Sequence, residues 1–128
     1  MISTNILNLA PIIHLTEEQF YQLCMVDDLN LELTATGQLI ILPGSGGESD
    51  RREANLNFKV GLWNHQTQLG IVFSSSTIFR LPNGAKLSPD VPWIKLEHWE
   101  ALTEEEQEKF PPLTPDFIIR PVRKISLV

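Results

Sequence analysis

Asp50-Arg51-Arg52-Glu53-Ala54-Asn55-Leu56-Asn57-Phe58-Lys59-Val60-Gly61-Leu62-Trp63-Asn64 can be read in two ways, and the choice decides the fold. Leu56, Phe58, Val60 and Leu62 alternate with their neighbours as one face of a strand would, whereas Leu56, Val60 and Trp63 recur at helical spacing. The length of the stretch and its polar content favour a long helix. Ser49 or Asp50, with Glu53 three residues after Asp50, offers that helix an N-cap.

The flanking segments supply a sheet for this helix to cover. Upstream, Leu29, Leu31 and Leu33 alternate with Asn30, Glu32 and Thr34, and the apolar run Leu39 to Leu42 follows the turn Ala35-Thr36-Gly37-Gln38. This predicts a β-hairpin with Glu32 on its polar face. Before it, Thr16-Glu17-Glu18-Gln19 forms a capping box and Leu15 with Phe20 occupies the staple positions, so a short helix starts at Glu17 and ends near Asp27. Downstream, Gly70 to Phe73 and Thr77 to Leu81 read as strands, Pro82-Asn83-Gly84 as a turn, and Ala85 to Leu87 as the returning strand. Pro89 and Pro92 cannot donate ladder hydrogen bonds, so a strand over Pro89 to Ile94 is interrupted or lies at an edge. Thr103-Glu104-Glu105-Glu106 is a second capping box, opening a helix that stops before Pro111-Pro112, and Asp116 to Arg120 is the last strand candidate. The expectation is an α/β or α+β fold, a curved mixed sheet flanked by helices, in one domain spanning residues 1–128.

Composition narrows the functional classes. Hydrophobic residues make up 42% of the 128 positions and charged residues 20%, which suits a chain that folds rather than a disordered one. Apolar runs are far shorter than the roughly 20 residues that span a bilayer, and Met1 to Pro11 lacks the features of a secretory leader, so a cytoplasmic protein is expected. Cys24 is the single cysteine, which excludes an intramolecular disulfide and a cysteine-based zinc site; beside Leu23 and Met25 it reads as a small buried hydrophobe. The net charge of −6 argues against a broad electrostatic footprint for nucleic acid. Most of it comes from Glu97, Glu100, Glu104, Glu105, Glu106 and Glu108, set against Lys109 alone, and reads as a solvated helical face.

Several features read most simply as structure. His14, His65 and His98 are scattered, without the spacing of a metal-binding pair, and suit surface or capping positions. Ser74-Ser75-Ser76 lacks a nucleophile elbow, and the Gly44 to Gly47 loop lacks the Lys-Ser/Thr of a phosphate-binding loop. Trp63, Trp93 and Trp99 read as core or interface aromatics, since no basic residues interleave them.

Nuclease chemistry needs carboxylates that converge on a hard divalent cation. Pro89-Asp90 and Pro115-Asp116 each match the first half of the signature PD-(D/E)xK, but no Asp or Glu is followed two residues later by Lys, so the second half is absent. A longer string is more specific: Phe79-Arg80-Leu81-Pro82-Asn83-Gly84-Ala85-Lys86-Leu87-Ser88-Pro89-Asp90, then Trp93, then Glu97-His98-Trp99-Glu100-Ala101-Leu102-Thr103, and finally Phe110-Pro111-Pro112-Leu113-Thr114-Pro115-Asp116-Phe117-Ile118-Ile119. With Gly46 to Arg52 and Leu62-Trp63-Asn64 upstream, this closely resembles the Uma-type family of endonucleases, abundant in cyanobacteria and belonging to the restriction-endonuclease-like superfamily.

The resemblance implies a restriction-endonuclease-like core and Mg²⁺-dependent hydrolysis of DNA. It makes Asp90 the first metal ligand, with Glu32 as a second catalytic and metal-binding acid and Glu48 as a further candidate ligand. The family's other acid follows its Pro-Asp-Phe-hydrophobic-hydrophobic run, and the matching residue here is Arg120. A guanidinium carries fixed positive charge and no acceptor, so it repels a cation, and it can instead pair with Asp90. Beyond it, Pro121 to Val128 does not resemble the family's closing elements, and a fold shortened at its C-terminal side is expected. An impaired endonuclease follows, with a non-catalytic interaction module or degenerate remnant as the alternative. A sheet cut short after Ile119 would expose an edge or an apolar face, so a homodimer is expected.

Overall fold

The computed structural model describes residues 5–26, 30–42 and 46–119. Its longest element, α2 (Gly47–Thr67), decides the ambiguous stretch in favour of a helix. Val60 is buried and Leu56 packs beside it, while Phe58 and Leu62 stand on the solvent side, Phe58 at 66% exposure. A strand would have put all four on one face. The start differs from the expected one: Gly46 is the N-cap, without a side-chain bond, and Glu48 and Asp50 lie inside the first turn, where acids favour the helix dipole. Gln68 closes the helix in a left-handed conformation, φ 57°, its N–H donating to the Asn64 carbonyl at 2.7 Å.

Five strands form the first sheet: β1 (Asn5–Asn8), β2 (Leu31–Leu33), β3 (Gln38–Ile41), β5 (Phe79–Arg80) and β6 (Lys86–Leu87), in the order β1-β3-β2-β6-β5. Its pairings are all antiparallel. The expected hairpin is β2–β3, with Leu33 opposite Leu39 and Gly37 taking φ 90° in the turn, a conformation that glycine enters without penalty. Leu31, Leu33 and Leu39 face inward onto α1 (Glu17–Val26), where Phe20 and Cys24 meet them and Phe110 completes the cluster. Burial also raises the pKa of the Cys24 thiol, which keeps it protonated and unreactive. Arg80 grips both carboxylate oxygens of Glu17 at 3.0 and 3.1 Å, fastening α1 to the edge strand β5.

The second sheet pairs β4 (Gly70–Val72) antiparallel with β7 (Trp93–Lys95), and a single bridge joins Trp93 to Phe117. That bridge is all that forms of the strand expected over Asp116 to Arg120, among the described residues. β7 begins only after Pro92, as its missing N–H requires. Val60, Val91 and Trp93 are the core here, and α3 (Leu96–Glu100) and α4 (Glu104–Glu108) follow. Phe73 links the two sheets, its ring 5.6 Å from Phe79 on β5 and 5.2 Å from Trp99 on α3. The architecture is α+β, antiparallel sheets with four helices among the described residues. None of those helices is long and apolar enough to cross a membrane.

Candidate active site

Glu32 sits in the middle of β2, between two leucines that point into the core, so strand alternation turns its carboxylate to the opposite face. Leu33 pairs with Lys86, which places the chain leaving β6 beside Glu32. There the Ser88 N–H donates to Glu32 Oε2 at 2.8 Å, and the Ser88 hydroxyl donates a longer bond to the same oxygen at 3.4 Å. An amide aimed at a carboxylate oxygen fixes its position.

Asp90, half-buried, lies two residues beyond Ser88. Its other neighbour, Val91, is fully buried and has φ 40°, a region a β-branched residue enters only when its surroundings hold it there. Val60 and Trp93 pack around Val91 and provide that hold. Asp90 is thus carried between two anchors, the Ser88 bond to the first sheet and the Val91 plug in the core of the second. The structure therefore brings Ser88, two residues before Asp90, onto Glu32, although the two are 56 positions apart in sequence.

Glu48 occupies a different setting, the exposed first turn of α2. Arg51 donates to both its oxygens, at 2.7 and 3.1 Å, and Arg52 to one at 3.0 Å. The hydrogen bonds and charge of Arg51, with those of Arg52, lower its pKa to about 2. Arg120 and its expected pairing with Asp90 lie outside the described residues.

Two groups carry more structure than their sequence context announced. Asp116, in the second Pro-Asp pair, accepts the Lys95 N–H at 2.7 Å and lies 3.1 Å from His98 Nδ1. Burial raises its pKa, but the Lys95 amide, the His98 ring and the Lys95 charge outweigh burial, and the net shift is downward. This acid clasps the segment after α4 to the β7–α3 junction. Lys86 is buried, its ammonium donating to the Gly84 carbonyl at 3.2 Å. It shares the inner face with Leu33, opposite Glu32, so it does not stand beside the acids as a nuclease lysine would. Burial is rare for lysine, and nothing in the alternation around Lys86 signals it.

Glu32 and Asp90 supply hard oxygen donors, and one or two carboxylates are what a protein ordinarily gives Mg²⁺. That donor set fits the ion. Among the described residues, no three His, Cys, Asp or Glu side chains group closely enough to hold a metal by themselves. Residues 17–120 match the family profile described as "Uma2: Putative restriction endonuclease", a span that runs from the first residue of α1 to Arg120 and includes Glu32, Glu48, Asp90 and Asp116. Comparison with curated proteins finds no match.

Proposed function

The chain belongs to the Uma2 family, and on that premise we propose that it is an endonuclease-type protein with impaired hydrolysis, whose Glu32–Ser88–Asp90 corner is the retained half of a Mg²⁺ site for DNA. The observation that supports this most directly is the 2.8 Å bond from the Ser88 amide to Glu32, which joins the hairpin acid to the segment carrying Asp90.

In this reading Glu32 and Asp90 hold the cation. Bound there, Mg²⁺ would polarise a phosphate oxygen and lower the pKa of a water. Ser88 positions Glu32 through its backbone, a role that needs the amide more than the hydroxyl. Buried Val91 keeps Asp90 from swinging away, and the sequence has Arg120, which offers no acceptor, where the resemblance expects the second acidic ligand.

Nicking of supercoiled plasmid in Mg²⁺ or Mn²⁺ tests the proposal, with Asp90→Ala and a chelator as controls. Cleavage no greater than that of Asp90→Ala is the expected result. Cleavage abolished by both controls would show a working site and overturn the impairment. Calorimetric titration with Mn²⁺ tests the retained half-site separately: weak binding lost in Asp90→Ala supports it, and no binding to the parent protein favours a non-catalytic interaction module. Arg120→Glu should tighten Mn²⁺ binding.

A further inference from the structure

We propose that Asn57 and Asn64 are positioning residues for Asp90, an inference that rests on the reading of Asp90 as a metal ligand. From one face of α2 they hold β4 and Trp93, and through these they keep Val91 in the left-handed backbone conformation that places Asp90.

The backbone at Val91 is what needs holding. Its φ of 40° is a region that β-branched residues rarely enter, and Pro92 follows, whose ring pushes the residue before it towards extended conformations. Such a conformation persists only where the surroundings over-determine it. Released, Val91 would extend, and Asp90, the residue before it, would move with the chain.

The bonds that fix the chain just after Val91 lead back to α2. The Pro92 carbonyl accepts the Phe73 N–H at 3.0 Å, and the Phe73 carbonyl in turn accepts the side-chain amide of Asn57 at 3.2 Å. The Trp93 indole N–H donates to Asn64 Oδ1 at 2.9 Å, and the same oxygen accepts the Gly70 N–H at 3.1 Å. Asn57 and Asn64 stand two helical turns apart, so they share a face of α2, and one reaches the start of β4 while the other reaches the residue just past its end. Val72 pairs with Trp93 between those two points. Val91 is fully buried in the cluster that Val60 of α2 and Trp93 form around it. Helix α2, β4 and the start of β7 are therefore tied together up to Val91, and Asp90 is the first residue outside the tie. Neither asparagine carries a charge, so these part-buried bonds form without the desolvation that an ionised side chain would suffer.

NMR of the full chain, combined with Mn²⁺ calorimetry, tests this. In the parent protein the backbone scalar couplings and carbon shifts of Val91 are expected to report a left-handed residue. Asn64→Leu removes the acceptor from two N–H groups; it is expected to move those signals towards extended backbone and to weaken Mn²⁺ binding by about tenfold, as loss of a group that orients a metal ligand does. Asn64→Asp still accepts both bonds and should restore both readouts. A clamp that merely stabilises the smaller sheet would lower the urea midpoint of Asn64→Leu while leaving the Val91 signals and the Mn²⁺ affinity of the folded protein unchanged. That result overturns the proposal, as does an extended Val91 in the parent protein. No Mn²⁺ binding by the parent protein would sink the metal reading of Asp90 instead, and the Val91 signals would still decide whether Asn64 sets this backbone. Should Asn64→Leu fail to fold, Asn57→Ala, which removes a single bond, gives the same readouts, and unchanged Val91 signals there overturn the proposal.

Discussion

The five-stranded sheet and the two-stranded sheet bury their apolar faces by different means. In the larger, three leucines from β2 and β3 cluster with Phe20, Cys24 and Phe110. In the smaller, Trp93 does nearly everything. Its indole N–H donates to Asn64 Oδ1 at 2.9 Å, its ring stacks on Phe117 at 4.9 Å and meets Trp63 at 5.5 Å, and its backbone forms the bridge to Phe117. Gly70 allows this approach, since a Cβ there would collide with the Trp93 ring and the Ile94 carbonyl. A sheet of many short pairings tolerates local loss, whereas one of three pairings depends on Trp93, which ties its end to Phe117 and α2.

Trp93→Ala should cost about 4–5 kcal/mol in urea unfolding, at the top of the range for a core aromatic, and Leu39→Ala about 2–3 kcal/mol. Equal losses would break the comparison. Asn64→Leu comes next, at roughly 2 kcal/mol, because it strips the acceptor from both the Trp93 indole and the Gly70 amide. A loss below half of that would mean that stacking, not the hydrogen bonds, orients Trp93. Glu32→Gln should cost about 1 kcal/mol, since an amide oxygen can still accept from Ser88 but without the charge. The same variant should lose any Mn²⁺ binding, which a purely structural Glu32 would not produce.

The smallest effect concerns acid. Asp116 has its pKa below the ordinary value of 3.8, so its contribution is fully present above that value and is lost as the pH falls through the lower, folded-state pKa. Urea midpoints of the parent protein should therefore drop more steeply than those of Asp116→Asn as pH is lowered from about 5 to about 2. Parallel curves would remove Asp116 as a clasp on the smaller sheet.

A similar contrast separates elements encoded by near neighbours from those that long-range pairing creates. Both capping boxes are present: Thr16 and Gln19 exchange bonds at 2.9 and 3.1 Å, and Thr103 and Glu106 at 2.9 and 3.2 Å. Each involves residues three apart, so the signal and its physical cause lie in the same short segment. The β2–β3 hairpin is legible in the sequence for the same reason, as is the halt imposed by Pro92. β1 is not, because Asn5-Ile6-Leu7-Asn8 has no alternation and becomes a strand only by pairing with β3. Of the expected strand over Asp116 to Arg120, the described residues form only the bridge of Phe117 to Trp93, where the Asp116 side chain accepts the Lys95 amide and the Phe117 ring stacks on Trp93.

Residue type and near-neighbour spacing are therefore enough for the helices with capping boxes, the hairpin, the long α2 and the family to which residues 17–120 belong. Glu32 and Asp90 stand out as site candidates only through the resemblance to that family, not through spacing. Residue type and spacing do not reveal that Glu32 reaches Ser88, that Val91 holds a strained backbone beside Asp90, that Glu48 is taken up by two arginines, or that Lys86 is buried on the face away from the acids. Each of those depends on which face a side chain occupies and on what the rest of the chain packs there. Hydrogen bonds within one turn are encoded by a few adjacent residues, but a contact such as Glu32 to Ser88 spans 56 positions and exists only once the whole sheet has fixed its register.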